Sequence, residues 1–255
     1  MRQLRTSEAK GLERPHGGAT ERVVEALREA IVTLEIAPGT SLDKAALTAR
    51  FGVSRFPIAA AFNRLKAEGL IEIRPQSGSI VSLIRLADAR ENMFLRRALE
   101  GETVAMLAAR SDPDLMVEVE RNLRDQQAAM DADDRQGFHR LDLEFHDLLT
   151  SAIGYPRMRA TVEHARLALD RVRRLLFTPR RHAASYAEHR EIFEAVRDGK
   201  PDLARAAMAG HIDSVMNELE AFSISNPDVF ADRSGTTAVA GRTIRTASAA
   251  AGHPS

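Results

Sequence analysis

The segment from Leu42 to Leu83 constrains the fold more than any other part of the chain. Asp43 is placed to cap a short helix that would present Ala46, Leu47 and Phe51 to a core, and Gly52 stands where the following turn calls for a positive φ. Ser54 then caps another helix, with Pro57 tolerated in its first turn. Ile58, Phe62 and Leu65, with Leu70 beyond, form its buried side. Upstream, Thr20 is the expected cap of a first helix, with Val23, Val24, Leu27, Ile31 and Leu34 at helical spacing and Pro38-Gly39 as the stop. After Gly69 the period shortens to two. Ile71, Ile73, Ile80 and Ser82 are expected on one face, and Glu72, Arg74, Val81 and Leu83 on the other, with a turn from Pro75 to Ser79. Three helices followed by a β-hairpin wing make a winged helix-turn-helix over residues 19–84.

Such a unit reads DNA by entering the major groove with the first residues of its last helix. Ser54 and Arg55 stand there, and Arg55 suits bidentate pairing with guanine. Arg50, Arg64, Lys66 and Arg74 are candidates for phosphate contacts, and Gln76, Ser77 and Gly78 at the wing tip for the minor groove or backbone. The same cations also suit an ordinary solvated face. Formal net charge is zero over 255 residues, but residues 1–84 carry +3 and the remainder −3.

From Leu86 to Ser223 no strand pattern occurs. Apolar residues recur at helical spacing over 86–109, 113–131, 135–150, 157–176, 182–198 and 201–223, separated by Pro, Gly and Asp breaks. The second domain, 86–223, is therefore expected to be an all-α bundle, making the whole chain mainly α. Residues 1–18 and 232–255 lack apolar periodicity and are expected to be disordered. The chain has no cysteine, which excludes disulfides and thiolate metal sites and is compatible with a reducing cytoplasm. No apolar run is long enough for a membrane span, and no signal-peptide core begins the chain. A cytoplasmic location with no membrane partner follows as the expectation.

Asp142 and His146 are four residues apart on one expected helix and share a face beside an apolar seam. His189 and His211 lie on later helices. Three imidazoles and a carboxylate can complete a site for a divalent metal ion, with zinc, nickel or manganese all compatible. His139 fits the spacing equally well, and helix-borne histidines are also commonly hydrogen-bonded or exposed.

The first domain resembles the GntR family of bacterial transcription regulators. The resemblance rests on Leu34 through Pro38-Gly39, Leu42, Leu47, the run Phe51-Gly52-Val53-Ser54-Arg55 with Pro57, then Arg64-Leu65, Glu68-Gly69-Leu70 and Gly78. The helical segment resembles the effector domain of the FadR branch, the FCD domain. Here the matching residues are Arg96 through Glu100, Asp142 through His146, Glu188-His189, Ala195, Gly199, Asp202, Ala206, Met208 and His211-Ile212. The resemblance implies a homodimer on a near-palindromic operator in double-stranded DNA. It also implies a divalent metal held by Asp142, His146, His189 and His211, zinc first among the candidates. Arg96 matches a family arginine that faces the pocket and holds an anionic ligand; its other reading is a surface pair with Glu100.

The chain departs from the family pattern at several points. Relatives usually carry a small hydroxylated residue in place of Phe56, arginine then glutamate in place of Ala59 and Ala60, a charged residue in place of Ala45, and asparagine in place of Tyr155. Phe56, Ala59 and Ala45 match positions at which relatives contact DNA.

The expectation is a ligand-responsive DNA-binding regulator, a repressor, that senses a small carboxylate metabolite through a metal-containing helical domain. One alternative is the same regulator with a purely structural metal and no small ligand. Another is a metal-dependent hydrolase or lyase fused to a DNA-binding head. Glu144 and Glu188, the acids beside the ligands, point about 100° away on their helices, and no hydrolase motif occurs.

Overall fold

The computed structural model describes residues 18–74, 78–110, 112–176 and 178–232. The chain divides into two compact units, Met1–Ser82 and Leu83–Ser255, each with its own apolar core. Residues 1–17 and 233–255, most of the expected tails, and wing-tip residues Gln76 and Ser77 lie outside the described residues.

The first unit is a winged helix-turn-helix. Helices α1 (Ala19–Val32), α2 (Lys44–Phe51) and α3 (Arg55–Ala67) precede strands β1 (Ile71–Arg74) and β2 (Gly78–Val81). Val23, Val24, Leu27 and Ile31 of α1 meet Leu47 of α2 and Ile58, Ala61, Phe62 and Leu65 of α3 in one cluster. Asp43 caps α2 by accepting from the Ala45 and Ala46 amides. Gly52 ends α2 at φ 61°, a left-handed conformation that glycine adopts without penalty.

Four local expectations are corrected. Gly18, not Thr20, occupies the N-cap of α1, so Thr20 lies within the helix. Leu34 lies beyond α1 at φ 63° and is half-buried. Ala46 is exposed, leaving Leu47 to anchor α2. In the wing, β1 and β2 pair antiparallel with Ile71 opposite Val81, Glu72 opposite Ile80 and Ile73 opposite Ser79. Paired residues share a sheet face, so Val81, not Ile80, joins Ile71 in the core. The phase of β2 is set by its tie to the 39–42 segment, through Leu42 N to Ser79 O (2.8 Å) and Gly39 N to Val81 O (2.9 Å).

The second unit is all helical: α4 (Leu86–Arg110), α5 (Pro113–Asp131), α6 (Arg135–Ala152), α7 (Pro156–Ala168), α8 (Asp170–Leu175), α9 (Pro179–Arg197) and α10 (Pro201–Ser225), then a short 3₁₀ turn, Pro227–Val229. Asp112, Asp134 and Thr178 cap α5, α6 and α9 with their side chains. Four of these helices, α5, α7, α9 and α10, begin with proline, whose missing N–H is not needed there. α10 packs along α4 and α9, and α5 along α6 and α9.

The expected 157–176 helix is two helices, α7 and α8, divided at Leu169. No breaker residue marks that division. The turn buries Leu169, Val172 and Leu176 together in the core, and tertiary packing overrides local helical preference. The helix expected to begin at His182 starts at Pro179. The chain beyond α10 also returns to α4. Ile84 N donates to Val229 O (3.0 Å) and Ala231 N to Ile84 O (2.8 Å), and Phe230 is fully buried. Asp232, expected in the disordered tail, instead accepts from the Leu86 and Ala87 amides at 3.0 and 2.9 Å. Among the described residues no helix is long and apolar enough to cross a membrane.

Candidate metal centre and DNA-reading face

Three helices converge on one buried point. α6 supplies Asp142 and His146, α9 supplies His189 and α10 supplies His211. One ligand atom from each lies within 4.8 Å of all the others. All four residues are buried, Asp142 least so at 8% exposure. The i, i+4 spacing on α6 aims Asp142 and His146 the same way, with His146 Nε2 3.9 Å from Asp142 Oδ1. His189 Nε2 lies 3.5 Å from the same Asp142 oxygen.

Each imidazole is oriented from behind through Nδ1. His146 donates to Glu100 Oε2 (2.5 Å), His189 to Gln126 Oε1 (2.9 Å) and His211 to Glu188 Oε2 (2.8 Å). Gln126 is itself fixed: its amide nitrogen donates to Asn122 Oδ1, and Asn122 donates to the Leu141 carbonyl. With the protons held on Nδ1, the Nε2 lone pairs face inward. Nε2 of His189 and of His211 has no hydrogen-bond partner among the described residues. Buried ring nitrogens are rarely left so unless something else occupies them. Acceptors behind each histidine are the arrangement that fixes tautomer and basicity in metal sites.

The protonation states agree. Burial drives the His146 imidazole down to about 3, although Glu100 beside it works the other way. Burial, followed by the neighbouring His211, holds His189 well below the usual imidazole range. Burial alone would raise Asp142. The Arg173 guanidinium, bonded to its other oxygen at 2.6 Å, and then His146 and His189 hold it well below the ordinary carboxylate range. The neutral imidazoles of His146 and His189 beside an ionised Asp142 carboxylate suit a divalent cation. The cluster could hold a metal ion.

The surroundings are rich in guanidinium. Arg96 is fully buried and pairs with Glu100 (2.6 Å), so the pair that the other reading sets on the surface is an interior one. Its Nη2 reaches His146 Nε2 at 3.4 Å, and its Nη1 has no partner among the described residues. Arg166 finds a carbonyl, Leu143 O at 2.7 Å. Burial first, then Arg173 and Arg96, push Arg166 down to about 10. Arg181 bonds Glu188, Ser185 and Ser214. A small cavity of about 40 Å³ opens beside the cluster, bounded by Asp142, His211, Arg173, Arg181, Ser185 and His182. His139 is not among the converging ligands; its Nε2 meets Asp170 Oδ1 at 2.8 Å. Glu144 is exposed, whereas Glu188 supports His211 from the neighbouring helix.

Sequence reasoning misses Gln126, Arg173, Arg181 and the second role of Glu100. Arg96-Glu100 spacing was the signal for Glu100. For Gln126 no signal exists, and Arg173 sits in an arginine run that reads as solvated.

On the first unit, Ser54 occupies the N-cap of α3, yet its hydroxyl makes no cap bond. Ser54, Arg55 and Lys66 are exposed. Arg64 is ion-paired with Glu21, Arg74 with Glu72 at 3.1 Å, and Arg50 lies 3.8 Å from Glu35. Gly78, just past the undescribed tip, has φ 85°.

Two family models match the chain: the gntR family of bacterial regulatory proteins over residues 19–81, and the FCD domain over residues 91–214. A regulator of the helix-turn-helix type from an unstable DNA locus of Streptomyces ambofaciens is 38% identical over 84% of this chain and 90% of its own length. The transcriptional repressor RspR of Escherichia coli K12 is 32% identical over 86% of this chain and 96% of its own. The solved structure of Escherichia coli McbR/YncC matches 81% of this chain and 99% of its own with a TM-score of 0.61 at 17% identity, which is a likeness of fold.

Proposed function

The chain belongs to the GntR family of bacterial regulators, with an FCD domain behind its DNA-binding head, and from that premise we propose a metal-containing, ligand-responsive repressor. It acts as a homodimer on a near-palindromic operator, in the cytoplasm. Ser54 and Arg55 face base edges, Arg50, Lys66 and Arg74 contact phosphates, and Gln76, Ser77 and Gly78 carry the wing to the duplex. Arg64 joins the phosphate contacts by exchanging Glu21 for DNA. The likeness to RspR, a transcriptional repressor, supports the repressor sense.

Asp142, His146, His189 and His211 hold the cation. Zinc is the first choice for this nitrogen and oxygen set, with nickel or manganese compatible. A bound cation offers Lewis-acidic attachment to a carboxylate. The observation that carries the effector reading is the surplus of buried guanidinium around the cluster. Arg96 and Arg166 each keep a buried N–H without a partner among the described residues, and a divalent cation adds more positive charge. A small organic anion resolves that surplus, with Arg96 and Arg173 as its nearest cations. Occupancy then biases the dimer toward one spacing of its two DNA heads.

The small cavity favours a second reading, in which the metal ties α6, α9 and α10 together and no effector enters. One titration separates the two. Purified metal-loaded protein is bound to DNA selected from a random pool, and small carboxylates are added. Release of DNA by one of them, lost in Arg96→Ala, supports sensing. DNA binding indifferent to every carboxylate, with metal removal lowering only the melting temperature, supports the structural role.

A further inference from the structure

The exposed face of α3 carries an aromatic ring where a base-reading helix meets the groove. Phe56 is 78% exposed in the first turn of α3, on the side away from Ile58, Ala61, Phe62 and Leu65. Ala59, one turn on, is also exposed, so its methyl and the ring are neighbours on the helix surface. A lone exposed hydrophobic side chain is ordinary on a protein surface. Here the neighbours point to a partner. α3 contains no acidic residue, and Arg55 and Lys66 are exposed cations on it, while Arg64 is paired with Glu21 of α1. Arg55 precedes the ring-bearing residue in the same first turn. An apolar stripe set among cations fits a polyanion with apolar groups on its reading edge. In the major groove of DNA, that group is the 5-methyl of thymine.

We propose that Phe56, with the Ala59 methyl, selects thymine in each operator half-site by packing on its 5-methyl group. This rests on the DNA-binding reading of the first unit. Arg55 supplies the neighbouring polar contact, and the phosphate contacts are separate from it. Specificity at this position therefore comes from apolar contact rather than from a hydrogen-bonding side chain.

The test uses the full chain and duplexes that it selects from a random pool. Thymines are replaced one position at a time by deoxyuridine, which lacks only the methyl. Wild-type protein is expected to lose about four-fold in affinity at one thymine per half-site, the worth of one methyl-sized group removed from water. Phe56→Ala should be indifferent to the exchange at that position while keeping the wild-type salt dependence, which counts phosphate contacts. Because the ring is exposed, the variant keeps its core, and circular dichroism checks this. Equal affinity for thymine and deoxyuridine at every position overturns the proposal, as does a Phe56→Ala variant that remains as sensitive as wild type. A Phe56→Ala variant that changes oligomeric state with unchanged thymine dependence assigns the ring to a protein contact and overturns it too. If wild-type protein selects no duplex at all, the DNA-binding reading falls, and this proposal with it.

Discussion

Glu100 accepts from Arg96 and from His146 at once, in a place water does not reach. Burial favours its neutral acid, yet Arg96 and His146 together hold its carboxyl well below the usual range, so it is ionised. Glu100→Gln removes that charge, leaving Arg96 buried without a counter-ion, and releases the proton position on His146. The expected cost is about 3–5 kcal/mol, the penalty for breaking a buried pair by deleting one partner. Metal affinity should fall about 10- to 100-fold, as when a residue that orients a ligand is lost. Thermal melting reads the first and a competitive chelator titration the second; a variant matching wild type in both would show that Glu100 orients nothing. The four candidate ligands are legible in the sequence because residue type and helical spacing are local properties. Their supports are not. Gln126 stands 63 residues from His189, and only the packing of α5 against α9 brings them together.

At the scale of elements, the helices are the readable part. Asp112, Asp134 and Thr178 with the proline starts mark helix beginnings chemically; α5, α6 and α10 begin where the apolar spacing places them, whereas α9 begins at its Thr178-Pro179 signal, ahead of the periodic run that starts at His182. The division between α7 and α8 carries no such mark, since Leu169 is an ordinary helix former whose turn is imposed by the core. The phase of β2 is equally hidden, because Ile80 and Val81 are interchangeable by type and the 39–42 segment decides between them. The cap on α4 is another distant effect, since Asp232 reaches it from the far end of the described chain. Burial works to raise the Asp232 carboxyl, but the Leu86 and Ala87 amides prevail and lower it. A carboxylate with a depressed folded pKa stabilises fully above its unfolded value and loses that contribution as pH falls through the folded one. Asp232→Ala should therefore lower stability by about 1 kcal/mol near neutral pH, a typical cap loss. The gap to wild type should narrow below about pH 4, where an unfolded aspartate begins to protonate. Denaturant melts at pH 7 and pH 3 check this, and a gap that widens in acid would contradict it.

For the whole molecule, the two cores predict two unfolding events. The four candidate metal ligands all belong to the helical unit, and none to the winged unit. Stripping the metal should lower the helical transition in calorimetry and leave the other within about a degree. If both transitions move together, the units are coupled rather than independent. The ligands come from α6, α9 and α10, separated by long stretches of chain, and the sequence contains no cysteine. A cation there is a cross-link that needs no oxidant and comes undone by dilution. While the cation is in excess over its dissociation constant, each tenfold fall in its free concentration takes about 1.4 kcal/mol from the folded helical unit. With a cation at that site, resistance to proteolysis is expected to gauge cation supply, and scarcity to shorten the protein's lifetime.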